Sequence, residues 1–420
     1  MSLCLAGLLL SSAARTADNP PQVLFDAARA KVLANIAKVP RYTCVETITR
    51  TQHYPQYGVK PNSCPALIAA KARLTSPGIL LWRDRLRLDV AIADGTEMFS
   101  WAGAKAFETT DIEKLALSGS TGSGAFGSFL ASVFGNDPDH YRYTGEENGL
   151  AVYEFSVPQP RSHYTYRMNN GTNRNIGYGG KFYIVPGKAD LKRLVVDATD
   201  FPSGDVCRVV DRMDYTNAKI GSGEFVMPEL STMTVLYNTG EESVNETRFS
   251  GCHEYVGEST IRFDGEGDTA PASVAAKAAL KALPPKTHVR VRLESPIDSD
   301  HAAAGDAVVG LVDRASAPAQ KGDKLHGRIL RLEQYMTPSP RWIIAIRFES
   351  IERDGVEQPV TFLPLDDGDR TPPTTIRFGR SVKVPLPKEP KGAGIFAFNT
   401  PGKLLLDDKF HSEWEVAKQP

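Results

Sequence analysis

The chain has 420 residues, of which 41% are hydrophobic and 24% charged, and its net charge is −1 at pH 7. This length predicts two or three domains, and the composition is typical of globular proteins with buried cores. The balanced charge, with no basic tract among aromatic residues, argues against nucleic acid or an anionic membrane surface as a partner.

Residues 1–18 are predicted to be a signal peptide. Leu3 to Leu10 is apolar, and Ser12 to Ala14 offers the small residues that a signal peptidase reads. No Lys or Arg precedes the apolar run, which departs from the usual pattern. The alternative, a membrane anchor, needs roughly 20 apolar residues, so no transmembrane helix is expected in the mature chain. The protein is therefore expected in the periplasm or outside the cell.

Four cysteines remain once the signal is removed, and an even number in an exported chain predicts disulfides with three possible pairings. We favour Cys44–Cys252, which joins an opening strand to a closing strand, and Cys64–Cys207, which attaches an insertion to a late strand. Four free thiols are expected only if the chain is not exported. No C-x-x-C motif is present, which argues against a zinc or redox site.

An N-terminal helix is predicted over residues 21–38, because Phe25, Val32 and Ile36 recur at helical spacing. A strand follows from Tyr42 to Thr51. Residues 53–78 are rich in proline and are predicted to be an insertion with one short helix.

Arg85 to Trp101 is predicted to be a β-hairpin around which the first domain is built. Leu86, Leu88 and Val90 alternate with polar residues, which indicates a half-buried strand. Asp94-Gly95 then tolerates the positive φ of a tight turn.

Gly122 to Gly127 matches the G-x-G-x-x-G pattern of dinucleotide-binding loops. No apolar parallel strand precedes it and no βαβ unit surrounds it, so we interpret it as a loop that opens a helix over residues 124–134. Beside a curved sheet, such a helix would also suit a lid.

From residue 140 to 263, short strands alternate with turn dipeptides such as Asn148-Gly149 and Pro186-Gly187. Turns at this frequency indicate antiparallel meanders. Residues 19–263 are therefore predicted to be one α+β domain, mostly β, in which a long antiparallel sheet that curls strongly or closes packs against the N-terminal helix.

A domain boundary is predicted at residues 264–286, a linker that contains a short Ala-rich helix. Residues 287–365 are predicted to form a small β-barrel or sandwich, because short alternating segments recur there. Residues 366–420 are expected to be an extended segment followed by a C-terminal hairpin.

No catalytic motif is present: G-x-S-x-G is missing, and His253-Glu254 lacks the second histidine of a zinc protease. Asp366 to Asp369 lacks the spacing and the closing glutamate of an EF-hand. The Tyr- and Asn-rich stretch Tyr164 to Tyr183 suits sugar or peptide contact, but ordinary cross-strand packing explains it better. No catalytic, metal or cofactor site is therefore assigned, and an enzyme hypothesis requires a hydrolase site assembled from distant residues.

Two resemblances follow from longer motifs. The first domain resembles the LolA/LolB/RseB-type lipoprotein-carrier architecture and, more closely, a group of uncharacterised exported bacterial proteins related to it, in YTCVETI, DRLRLDVA, GSGAFGSFL and GCHEYVGEST. The second domain faintly resembles the β-domain of conjugal-transfer scaffold proteins of type IV secretion, in HVRVRLESPIDS and KGDKLHGRI. The first resemblance implies that the long curved antiparallel sheet is an unclosed barrel with an apolar cavity that shields acyl chains.

The sequence thus predicts an exported, non-enzymatic carrier for an apolar ligand such as a lipid or a lipoprotein acyl chain. The residues expected to line its cavity are Phe25, Val32, Ile36, Phe126, Phe129 and Leu130. The alternative is a structural or assembly protein of the cell envelope that binds other proteins through its β-domains.

Overall fold

The computed structural model describes residues 20–54, 61–74, 78–93, 96–116, 119–135, 140–168, 171–202, 204–255, 282–365, 375–378, 382–385 and 390–418. The predicted signal peptide and the run Asp366 to Asp369 lie outside these residues. The predicted linker also lies outside them, except for its last positions, 282–286. In the part of the chain that is described, no helix has the length and apolar character needed to cross a bilayer.

The described residues form three α-helices and 24 strands. The helices are α1 (Pro20–Lys38), α2 (Cys64–Lys71) and α3 (Ser128–Gly135). The strands before the linker are β1 (Tyr42–Tyr54), β2 (Ile79–Ala93), β3 (Thr96–Trp101), β4 (Tyr141–Glu147), β5 (Leu150–Val157), β6 (Thr165–Arg167), β7 (Asn173–Asn175), β8 (Tyr178–Val185), β9 (Asp190–Ala198), β10 (Val206–Ile220), β11 (Gly223–Tyr237) and β12 (Glu242–Glu254). Those after it are β13 (His288–Leu293), β14 (Ile297–Asp298), β15 (Ala307–Ala315), β16 (Lys324–Tyr335), β17 (Arg341–Arg353), β18 (Val356–Pro359), β19 (Phe362–Pro364), β20 (Thr375–Phe378), β21 (Val382–Pro385), β22 (Gly394–Phe398), β23 (Leu405–Leu406) and β24 (His411–Val416).

The first unit is an antiparallel meander that runs β3-β2-β1-β12-β11-β10-β9-β8-β5-β4. Strands β3 and β4 do not pair with each other in the described chain, so the sheet is unclosed. The predicted α+β class, mostly β, is confirmed. Asn148 and Gly149 both have positive φ and join β4 to β5 as a two-residue hairpin, as the Asn-Gly dipeptide predicted.

Helix α1 covers a core built from β5 and β8–β11. Pro20 and Pro21 occupy its first positions, where a missing N–H is harmless. Phe25, Ala28 and Val32 are at most 3% exposed and pack with α3 and with aromatic residues of the sheet. The predicted apolar stripe therefore accounts for the placement of this helix.

The second unit is a circuit of paired strands in the order β24-β13-β15-β16-β17. Residues 356–364 complete it, because β18 pairs with β17 and β19 pairs with β24. The predicted C-terminal hairpin is wrong: β22 pairs with β17, and β24 pairs with β13 and β19. Burying Phe396 and Trp414 in the core of this unit outweighs a local pairing of the two strands.

The two units share one 18-stranded sheet, which the sequence did not predict. The end of β16 pairs with β2, placing Glu333 opposite Asp84. A second connection is the backbone bond from Arg87 N–H to Ala304 O at 2.7 Å. Gly305 follows with φ +107°, and a Cβ there would lie 2.0 Å from the carbonyl oxygen of Arg87. Glycine is therefore required where the two units meet.

Two disulfides join Cys44 to Cys252 and Cys64 to Cys207, the pairs preferred from the sequence. The first links the neighbouring strands β1 and β12 beside the bulge between Thr43 and Val45. The second fastens α2, which lies within the predicted insertion, to β10.

Candidate functional site

A row of buried side chains, all but one of them polar, crosses the sheet from the first unit into the second. Residues directly opposite on antiparallel neighbours point to the same face. The register aligns one residue from each of six strands. In spatial order they are Asp211 of β10, Met233 of β11, Asn245 of β12, Arg50 of β1, Asp84 of β2 and Glu333 of β16.

Where the two units meet, this row consists of matched charges, which we call the seam network. The Arg50 guanidinium donates from Nε to Asp84 Oδ1 at 2.9 Å, and both side chains are at most 3% exposed. Arg331 donates to both oxygens of Glu333, at 3.1 and 2.6 Å, and the Tyr335 hydroxyl donates to the same carboxylate at 2.7 Å. Each buried carboxylate of the seam network therefore has its own guanidinium partner.

A small cavity of about 40 Å³ lies at the other end of the row, in the first unit. Its floor is the inner face of β1 and β10–β12, and loop residues 121–125 and Phe129 of α3 cover it. The acidic residues that line it are Glu46, Glu97 and Asp211. One water-sized group needs roughly 10–15 Å³, so this acidic cavity has room for a few such groups.

Loop residues 119–125 are held on the sheet by three polar contacts. The backbone N–H of Gly124 donates to the Glu97 carboxylate at 3.0 Å. The Ser120 hydroxyl lies 2.8 Å from that of Ser243, and the Asn245 amide donates to Ser120 O at 2.7 Å. A Cβ on Gly122 would lie 2.8 Å from Met233 Sδ. The glycines thus allow the loop to lie directly on the cavity floor.

Burial controls the protonation of the acidic cavity. Burial, and secondarily the neighbouring Glu97, raises the pKa of Glu46 well above its usual range. Burial also raises the pKa of Glu97, partly offset by the N–H groups of Gly124 and Phe126. Burial raises the pKa of Asp211 to about 7, which the Tyr164 hydroxyl at 3.5 Å lowers only in part. In the absence of a cation these carboxyls favour holding protons.

The raised pKa of Asp211 predicts a pH dependence of stability. An unfolded Asp ionises near pH 3.8 and the folded one near 7, so Asp211 stabilises the fold fully below pH 3.8 and loses that contribution as the pH rises to 7. Between pH 5 and 7, the free energy of unfolding of the Asp211→Asn variant should therefore fall by about 2 kcal/mol less than that of the wild-type protein. Thermal unfolding at both pH values measures this.

The control for this prediction is Asp200→Asn, at an exposed residue outside the cavity. It should leave the pH profile of the wild-type protein unchanged. A variant with asparagine at 211 and an unaltered profile would show that Asp211 does not hold a proton in the folded protein.

The donor set does not suit a metal ion. No group of three or more His, Cys, Asp or Glu side chains in the described ranges has the arrangement of a metal site. No Lys, Arg or His is among the described residues that line the cavity. The carboxyl groups of the cavity can therefore hold protons or accept hydrogen bonds from a small bound molecule.

The residues predicted from the sequence to line a ligand cavity are brought together only in part. Phe25, Val32, Phe129 and Leu130 share one core, and Ile36 packs against it. Phe126 belongs to a neighbouring core with Tyr42. These side chains pack against one another, and of the six only Phe129 lines the acidic cavity.

The sequence analysis assigned no site to Glu46, Glu97 or Asp211 and so did not identify the acidic cavity. A signal was present in β1, where Glu46 and Arg50 are in phase with the buried Cys44 and Ile48. Asp211 is likewise in phase with the buried Val209 and Met213 on β10. Charged residues at the apolar positions of a strand indicate a buried polar site.

No protein-family model matches the chain, and neither the curated proteins nor the solved structures contain a significant match to it. The resemblance to lipoprotein carriers therefore stays a prediction.

Proposed function

We propose that the protein is an exported, non-enzymatic carrier that binds an apolar ligand, such as a lipid or a lipoprotein acyl chain, between the sheet and helices α1 and α3. The observation that carries this proposal is that these two helices cover an aromatic core on one face of an unclosed sheet. Two disulfides are typical of proteins from an oxidising compartment, which supports the periplasm as its location.

The helices behave as a joined cover, because α1 is linked to α3 and both ends of α1 are anchored to the sheet. Arg29 of α1 donates from Nε to the carbonyl of Phe134 in α3 at 2.8 Å. The Tyr153 hydroxyl donates to Pro21 O at 2.7 Å near the start of α1. Near its end, the Asn35 amide exchanges two hydrogen bonds with the Val226 backbone, at 2.8 and 3.2 Å.

Between these anchors the buried contact of α1 with the sheet is apolar, while at its exposed edge Lys31 pairs with Asp190 of β9. An alkyl chain inserted there would exchange apolar contacts for other apolar contacts, which costs far less than exposing the core to water at about 25 cal/mol per Å². Since Phe25 and Val32 are buried in the structure, uptake of an apolar ligand between α1 and the sheet requires the helices to move. The proposal therefore includes a displacement of α1 and α3 from the sheet.

The alternative, assembly through exposed strand edges, has weaker support. Strand β4 is an edge in the described chain, with Tyr143 40% exposed. A bulge between Tyr143 and Gly145 interrupts it, and its last residues are Glu146 and Glu147. Bulges and charges are the devices by which edge strands avoid further pairing.

Ligand binding is tested on protein purified from the periplasm without detergent, by native mass spectrometry followed by solvent extraction and lipid analysis. A stoichiometric acyl-chain adduct is expected. A fluorescent long-chain fatty acid then gives an affinity in titration. A clean apo mass together with no saturable binding of the fatty acid would contradict the carrier proposal.

A matched pair of α1 variants locates the ligand. Ile36→Gln alters the partly buried, sheet-facing side of α1 and should weaken fatty-acid binding about tenfold, which corresponds to the burial of a few methylene groups. Ala37→Gln alters the exposed side of the same helix and should leave the affinity unchanged. Equal effects of the two variants would place the ligand elsewhere.

A further inference from the structure

The acidic cavity differs from the seam network in its charge balance. In the seam network, Asp84 is paired with Arg50 and Glu333 with Arg331. Glu46, Glu97 and Asp211 line the cavity, and none of the described lining residues is basic. Buried carboxylates need a cationic partner or a proton. The cavity carboxyls must therefore hold protons or bind a cation that the described lining residues do not supply.

The cavity also has more hydrogen-bond acceptors than donors. Asn245 is 4% exposed, its amide N–H is used on Ser120 O, and its Oδ1 is buried with no donor in the described chain. Glu46 is 6% exposed, and both its burial and the neighbouring Glu97 disfavour its charged form. A cation that replaces the protons of these carboxyls must donate hydrogen bonds to their oxygens, and Asn245 contributes a further acceptor to the cavity wall.

Size and wall chemistry narrow the identity of this component. A volume of about 40 Å³ admits only a small group. The apolar walls include Ile48, Phe129 and Phe249, and aromatic rings attract cations. The acidic groups are not arranged as a metal site in the described residues. An ammonium group carries one positive charge and three or more N–H donors and requires no rigid coordination geometry.

We propose that the acidic cavity binds a small primary ammonium group, either as free ammonium or as the end of a short alkylamine, on the oxygens of Glu46, Glu97, Asp211 and Asn245. Loop residues 121–125 cover the bound cation. The site lies away from the contact of α1 with the sheet, but Phe129 of α3, which belongs to the proposed apolar cover, forms part of its wall. Ammonium binding is measured without a fatty acid, so its failure would leave the carrier proposal untouched.

Binding of the cation competes with protons. The titratable groups that face Glu46 and the cavity are Glu97 of β3, Tyr42 of β1, Asp211 of β10 and, through Asp211, Tyr164. The nearest guanidinium along the row is that of Arg50, which is bonded to Asp84. Raising the pH from 6 to 8 removes the proton of Asp211, while an alkylammonium keeps its charge. Affinity should therefore increase with pH over this interval.

The test is a titration of the full chain with ammonium, methylammonium, potassium and tetramethylammonium chlorides at constant ionic strength, followed by calorimetry and thermal unfolding at pH 6 and 8. Ammonium or methylammonium should bind saturably, and more tightly at pH 8. Bound ¹⁵N-ammonium should give a protected N–H signal in NMR spectra. A preference for ammonium over methylammonium assigns the free ion, and the reverse assigns an amine end.

Two variants connect the binding to the cavity. Glu46→Gln keeps the shape of a protonated carboxyl and should weaken ammonium binding about tenfold or more, because the negative charge that strengthens the hydrogen bond from ammonium is lost. Glu229→Gln, at an exposed position of β11, should have no effect. If Glu46→Gln does not fold, Asp211→Asn replaces it with the same expectation. The proposal would be overturned if potassium bound as tightly as ammonium, or if the Glu46→Gln or Asp211→Asn variant bound ammonium with the affinity of the wild-type protein.

Discussion

Asp84→Leu is expected to lower the free energy of unfolding by about 3–5 kcal/mol, because it leaves the Arg50 guanidinium buried without a counter-ion. Arg50 and Asp84 are at most 3% exposed and lie opposite each other on β1 and β2. Asp84 also lies opposite Glu333 of β16, so the loss should be felt in both units. Denaturant-induced unfolding followed by circular dichroism measures the effect.

The double variant Arg50→Met with Asp84→Leu separates the unpaired charge from the lost pair. Replacing both members of a buried ion pair by apolar residues is often neutral, so the double variant should recover most of the stability. Burial raises the pKa of Asp84 in spite of Arg50, which agrees with a large desolvation cost for this pair. A double variant as unstable as the single one would contradict this reasoning.

An exposed ion pair provides the comparison. Arg142 and Glu154 pair across β4 and β5, with side-chain exposures of 73% and 36%. Glu154→Gln should cost below about 1 kcal/mol, since solvent screens exposed pairs. A cost similar to that of Asp84→Leu would mean that burial does not set the strength of the seam network.

Removing either disulfide by paired Cys→Ala substitution is expected to lower the free energy of unfolding by about 5 kcal/mol. The bridges span 208 and 143 residues, and the loop-entropy term depends on the logarithm of length. The two losses should therefore agree within about 1 kcal/mol. Urea unfolding of the two double-alanine variants beside the wild-type protein measures both.

The surroundings of the two bridges make this comparison informative. Cys44 lies in the core beneath β1, with Tyr42 and Leu88. Cys64 and Cys207 form a small separate cluster with Leu67 and Leu236. If removal of Cys44–Cys252 costs more than 2 kcal/mol beyond removal of Cys64–Cys207, packing of the folded state outweighs the loop entropy of the unfolded chain.

Much of the fold was predictable because its signals are local. The alternation of Leu86, Leu88 and Val90 predicted β2, and each of these residues is at most 3% exposed. The dipeptide Asp94-Gly95, which lies outside the described residues, predicted that β2 and β3 pair, and Ala93 lies opposite Thr96. The alternation of apolar residues, the turn dipeptides and the prolines each influence only a few neighbouring positions. The elements that they specify can therefore be identified without knowing which distant segments meet.

The pairing of β2 with β16 was not predictable in this way. Asp84 and Glu333 are far apart in the chain, and nothing in either strand specifies the other as its neighbour. The prediction of a C-terminal hairpin was wrong for the same reason, since β22 pairs with β17 and β24 pairs with β13. Long-range pairing follows from the total burial and hydrogen bonding of the whole sheet.

The amino-acid sequence by itself therefore determined the mostly β class, α1 and the cysteine set, because each depends on periodicity or on residue chemistry. Only the tertiary structure decided that Glu46, Glu97 and Asp211 face one cavity, whereas Arg50 and Asp84 form a pair at the junction of the two units. The physical reason is register: a strand's alternation selects the face of each side chain, but the pairing of distant strands selects which charges meet there.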